Sequence, residues 1–163
     1  MRFLTRAWHE RVMSDAEAEG IGRGFIEHVE RIAAVLPAGV AKLVEAGGSE
    51  SLHDGNFADV RFERGRLVIV VEGYDWSTDF PLKRLRFVIR YTDATAVELS
   101  DQALIDTLED PEAEILYCEF DVCPGGLFEH RMLLWPPRLG EIAVSFRDAT
   151  VELQRDALPM WPD

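Results

Sequence analysis

Two cysteines in 163 residues are too few for a disulfide framework. Cys118 and Cys123 stand five positions apart in an expected strand, so their side chains point to opposite faces. No bond between them is expected, two thiols alone make no metal motif, and both are read as core residues. No run approaches the roughly 18–20 apolar residues of a membrane span. The start, Met1-Arg-Phe-Leu-Thr-Arg-Ala-Trp-His9, lacks the apolar stretch of a signal peptide, so a cytoplasmic chain without membrane contact is expected. No glycine-rich loop follows a strand and opens a helix, which excludes dinucleotide and phosphate-loop folds. Ser77 and Ser145 lack the Gly-x-Ser-x-Gly context of a nucleophile elbow. Cations are also scarce: 17 Lys+Arg face 30 Asp+Glu, a net charge of −13. That sign repels phosphate backbones and argues against nucleic acid as a partner.

The charge is uneven. Residues 1–48 are nearly balanced at −1, and residues 49–163 carry −12. Between Arg90 and Arg131 there is no Lys or Arg, yet eleven acids occur, from Asp93 through Asp106, Glu109, Asp110, Glu112, Glu114, Glu119 and Asp121 to Glu129. Such a stretch is either a solvated surface or a docking face for a basic protein. With 47% hydrophobic residues the chain has enough apolar material for one cored domain over 1–163.

The first 48 residues read as helical. Thr5 can cap a short helix, and Ser14 and Glu17 have the spacing of a capping box. Ile21, Phe25, Val29, Ile32 and Leu36 then form one apolar stripe. Gly20, Gly22 and Gly24 weaken the front of that helix and mark either a hinge or a later start. Pro37 opens a short helix through Val44 that ends at Gly47-Gly48.

After Ser49 the period changes from helix to strand. Alternating segments run over Ala58–Glu63, Leu67–Val71, Leu85–Tyr91, Thr95–Leu99, Leu116–Val122, Leu127–Trp135, Ile142–Phe146 and Thr150–Leu153, with one short helix over Ser100–Asp110. The expected fold is α+β: N-terminal helices packed on an antiparallel sheet or open barrel of about eight strands, in which tight turns join antiparallel neighbours.

The two β units, 49–100 and 101–156, look alike. Asp93-Ala-Thr returns as Asp148-Ala-Thr, Phe80-Pro-Leu-Lys83 as Trp135-Pro-Pro-Arg138, and Ser51-Leu-His-Asp54 as Thr107-Leu-Glu-Asp110. Three matches in one order, at offsets near 55, point to an internal duplication.

The Met1–His9 start, with Ser51-Leu-His-Asp54 ahead of a strand pair, resembles an uncharacterised bacterial family of the domain-of-unknown-function kind. That resemblance implies a small bacterial cytosolic protein and no particular activity. The Leu-His-Asp element before a hairpin is also similar to one in small toxin-neutralising immunity proteins.

Two places could carry chemistry. His53-Asp54 joins a histidine to a carboxylate, a pair that can bind metal or move protons. Consecutive residues point apart in an extended segment, so further ligands would have to come from His130, Glu72, Asp75 or Asp79. The second unit keeps the acid at Asp110 and has Glu109 in place of the histidine, which favours a turn in which the acid caps backbone N–H groups. The loop from Gly73 to Pro81 is five residues longer than its counterpart and carries Tyr74, Asp75, Trp76, Asp79 and Phe80, residue types common in binding hot spots. His9 and His28 are read as surface or boundary residues of helices. The expectation is a non-catalytic, immunity-like binding protein for a basic protein partner, with no cofactor. The alternative is a small metal-dependent enzyme using His53 and Asp54. A homo-oligomer is left open by the apolar segment Leu158-Pro-Met-Trp161.

Overall fold

The computed structural model describes residues 1–45, 52–74 and 83–159. The helix signals act where their chemistry places them. Thr5 accepts the Trp8 amide at 3.2 Å and opens α1, Arg6–His9. Ser14 and Glu17 cap one another's free N–H groups and open α2, Asp15–Ala33, which runs unbroken through its three glycines. At Gly24 an added Cβ would lie 3.4 Å from the Phe3 ring, an ordinary contact, which places the N-terminal segment against this part of the helix. After Pro37 comes α3, Ala38–Glu45; α4, Asp101–Leu108, is capped by Ser100.

Eight strands form one antiparallel sheet: β1 Gly55–Glu63, β2 Arg66–Tyr74, β3 Lys83–Thr92, β4 Thr95–Val97, β5 Glu114–Cys123, β6 Leu127–Trp135, β7 Glu141–Phe146 and β8 Asp148–Pro159. Their order is β4-β7-β6-β5-β1-β2-β3-β8, and the sheet does not close into a barrel. Shifting each strand number by four turns this order into its own reverse. The centre is thin, since β1 meets β5 only through Gly55 opposite Ile115 and Asn56 opposite Glu114.

The tight turns at Asp93-Ala94 and Arg147 do not join neighbours, contrary to the sequence expectation. Asp93 takes a left-handed φ of 51° and the Ala94 amide bonds to the Gly65 carbonyl at 2.8 Å, so the chain leaves β3. The Arg147 amide likewise bonds to Thr92 at 3.0 Å. As a result β4 pairs with β7, and β8 pairs with β3.

One face of the strands, including Val60, Leu67, Ile69, Phe87 and Ile89, shares a buried cluster with Ile32, Leu36, Val40 and Leu43 of the N-terminal helical segment and with Leu104 and Leu108 of α4. On the other face Glu119 of β5 is buried and accepts three successive amides, those of Arg2, Phe3 and Leu4, at 2.5–2.8 Å. The residues flanking that carboxylate across the strands, Tyr117 and Leu133, are sheltered in the same region, and Leu4 is 3% exposed. A carboxylate at the edge of a core is tolerable because its oxygens are fully engaged. Cys118 is a core thiol, and burial pushes it up to about 12; Cys123 is only half-buried, which corrects its assignment to the core.

Helix α3 lies directly on β8. A Cβ on Gly39 would sit 2.7–2.8 Å from the backbone of Ala149, Thr150 and Val151, whereas one on Gly20 would meet nothing within 4 Å. Gly39→Ala is therefore expected to lower the unfolding free energy by about 1–3 kcal/mol through overpacking. Gly20→Ala is expected to raise it by about 1 kcal/mol through helix propensity. Urea denaturation of the two variants beside the parent chain checks both signs.

Candidate functional site

The Leu52–Gly55 segment is built so that only its middle faces solvent. Leu52 is fully buried, Asp54 takes a left-handed φ of 58°, and its amide bonds to the Ile115 carbonyl at 2.9 Å. Gly55 follows because a Cβ there would lie 2.6 Å from Val71 and 2.8 Å from the Leu52 carbonyl. This crowding turns His53 toward β5, where its Nδ1 meets the Leu116 carbonyl and its ring stacks on Tyr117 at 5.2 Å and 15°. A carbonyl only accepts, so Nδ1 carries the proton and Nε2 faces Asp54 Oδ1 at 3.4 Å.

Glu114, the first residue of β5, completes the group. Burial, then the charge of Asp54 and a hydrogen bond shared with it, raise the Glu114 carboxyl above its ordinary value, against a smaller opposing effect of His53. The like charge of Asp54 and the partial burial of the site thus both disfavour the ionised form of Glu114. The result is a chain from the Leu116 carbonyl through His53 and Asp54 to Glu114. Tyr117 stands beside it with Trp8 edge-on at 5.3 Å and its hydroxyl 3.4 Å from His9 Nδ1; burial and then Asp54 raise its phenol. Chemically the group can hold and exchange a proton, or present paired carboxyls to a cation beside aromatic rings.

Of the expected extra ligands, the two among the described residues, Glu72 and His130, do not gather here. Glu72 lies two strands from Glu114, across Asn56, and pairs with Arg86. His130 is wholly buried, its ring stacked on Phe120 at 4.2 Å and its Nδ1 2.7 Å from the Tyr91 hydroxyl. Asp75, Trp76, Asp79 and Phe80 lie outside the described residues, and Tyr74 is the last residue of β2. Among the described residues no group of three or more His, Cys, Asp or Glu is placed to hold a metal ion. The capping explanation of the paired acids holds for Asp110, whose Oδ1 accepts the Glu112 amide at 2.9 Å. Asp54 differs, because its carboxylate faces His53 and Glu114.

His28 is no surface residue: it is 3% exposed, its Nδ1 accepts from Arg31 at 2.7 Å, and its Nε2 donates to the Phe120 carbonyl at 3.0 Å. Five of the eleven acids in the acidic stretch are committed to partners within the fold. Asp110 and Glu112 clamp Arg138, Glu119 holds the N-terminal amides, Asp93 pairs with Arg147 and Glu129 with Arg131. Trp8, Glu114 and Tyr117 were not singled out as site residues by sequence reasoning, and His9 was read only as a surface or boundary residue. Glu114 was one acid among eleven, and no spacing ties residues 8–9 to residue 117.

Burial lowers the His130 imidazole from 6.5 to about 3, and its Nε2 has no hydrogen-bond partner. The unfolded chain protonates this group at the ordinary value, so between the two values it binds more protons than the folded protein. Stability is therefore expected to fall on acidification through that window, by at most about 1.4 kcal/mol per pH unit from this group. His130→Phe should flatten the acid-side slope, and adding Tyr91→Phe, which removes the orphaned hydroxyl, should recover stability at neutral pH. Denaturant titrations across the acid range read both effects.

No family model, curated protein or solved structure matches this chain.

Proposed function

We propose that this chain is a non-catalytic interaction protein, immunity-like in character, that receives a basic protein partner. The observation that carries this reading is the Asp54–Glu114 carboxyl pair. Both carboxyls are at least partly exposed, they share a hydrogen bond, and among the described residues neither has a Lys or Arg counter-ion. A lysine or arginine of a partner can offset the like charges of this pair, and Trp8, His53 and Tyr117 provide aromatic surface beside it. Strand β2 ends at Tyr74, two residues past Glu72 and on the same end of the sheet as Asp54. Exposed Asp101, Asp106 and Glu109 on and just after α4 add long-range attraction.

We also read the two β units as copies of one ancestral unit of about 55 residues. Supporting it are the sheet order that reverses onto itself, a bulge near the start of both β1 and β5, and left-handed turns after each of those strands. An experimental structure whose halves failed to superpose strand for strand would overturn it.

The binding reading is tested by low-salt affinity capture with the wild-type chain and an Asp54→Asn/Glu114→Gln variant. The expected result is a basic protein that salt elutes and the variant fails to retain, and whose binding releases protons in calorimetry with buffers of different ionisation enthalpy. Equal retention by the variant, or binding without proton release, sinks the proposed site.

A further inference from the structure

Charge along this acidic chain reverses in one place. Residues 55–92, from β1 to β3, hold seven Lys and Arg against five Asp and Glu. The strand register gathers part of that surplus on the sheet face away from the main core. Arg61, Val68, Arg90 and Thr150 are directly opposite one another on β1, β2, β3 and β8, and the next row on the same face is Glu63, Arg66, Thr92 and Asp148. All of these but Asp148, together with Arg64 in the β1–β2 turn, line a groove of about 780 Å³, within the size range of small-molecule sites.

The arginines are not equivalent. Arg61 pairs with Asp59 at 2.9 Å and Arg90 with Glu152 at 3.2 Å, both at the side of the groove toward the sheet centre. Among the described residues neither Arg64 nor Arg66 has an ion-pair partner, and both are exposed. Glu63 is the single carboxylate in the groove wall. Arg64 also holds a left-handed φ of 50°, at a two-residue turn whose backbone favours Asn or Gly. A long cationic side chain is thus kept at a position where its backbone is strained, and strain of that kind is characteristic of binding positions.

The other half of the sheet provides a contrast in sign. On that same face β5 presents the carboxylate of Glu119, which accepts the amide donors of the chain's own residues 2–4. The β1–β2–β3 face presents guanidinium forks, which donate and so require acceptor oxygens, with the Thr92 and Thr150 hydroxyls alongside.

We propose that this groove binds a small polyanion bearing phosphate or carboxylate groups, held bidentately by Arg64 and Arg66 and bordered by Arg61, Arg90 and the two threonines. The site is separate from the Asp54–Glu114 pair, which lies at the opposite end of β1 and β2, and does not depend on that pair's role. The strongly negative field of the remaining surface restricts the ligand to a compact anion that fits inside the groove.

Isothermal calorimetry with inorganic pyrophosphate and with citrate tests this on the intact chain. The expected result is saturable one-to-one binding of at least one of them, with the tighter ligand deciding between phosphate and carboxylate sources. Arg64→Gly and Arg66→Ser should each weaken binding at least tenfold, while Arg23→Ala on α2 leaves it unchanged. Arg64→Gly should also raise the thermal midpoint, because glycine relieves the left-handed strain, so its loss of binding cannot be ascribed to unfolding. No saturable heat with either anion, equal loss in Arg23→Ala, or binding of an oligoglutamate peptide alone would overturn the proposal.

Discussion

Among the described residues, two residue pairs, Gly55 with Ile115 and Asn56 with Glu114, are all that pairs β1 with β5 at the centre of the eight-stranded sheet. So short a ladder contributes little by itself, because a few backbone hydrogen bonds add only about 1 kcal/mol each to net stability. The rest of the molecule is arranged around that weakness. The last strand of each half crosses to the outer edge of the other, β4 onto β7 and β8 onto β3. The halves cannot part without stripping an edge strand from each. Helix α3 then presses on β8 at backbone distance through Gly39, and the N-terminal segment is tied to β5 by three amides on Glu119.

The same seam explains the chemistry beside it. Asp54 and Glu114 come together because β1 and β5 begin there, and because the left-handed backbone at Asp54 turns its side chain toward β5. His53 braces the junction through the Leu116 carbonyl and the Tyr117 ring. A structural joint and a partly exposed pair of acids therefore occupy one place. The buried polar groups elsewhere are spent on the fold: His28 and Glu119 through hydrogen bonds to backbone, His130 through Tyr91.

The net charge of −13 does not describe one uniform surface. Part of the acidic stretch between Arg90 and Arg131 is neutralised by specific partners, Arg138 and Arg147 among them, while the outer face of β1–β3 is rich in arginine. Electrostatic steering by this molecule is accordingly a matter of local faces.

Helix caps, strand alternation and turns were legible in the residues because each depends on neighbours within a few positions. Thr5, the Ser14–Glu17 box and the Leu67–Val71 run all behave as their local chemistry requires. What the sequence by itself determined was thus the class of fold, the number of strands and the break from helix to sheet after Ser49. Only the tertiary structure decided that β4 and β8 change sides, that His28 is buried, and that Asp54 meets Glu114 sixty positions away. The reason is physical: pairing at a distance is set by loop closure and the burial of whole faces, quantities that no window of adjacent residues contains.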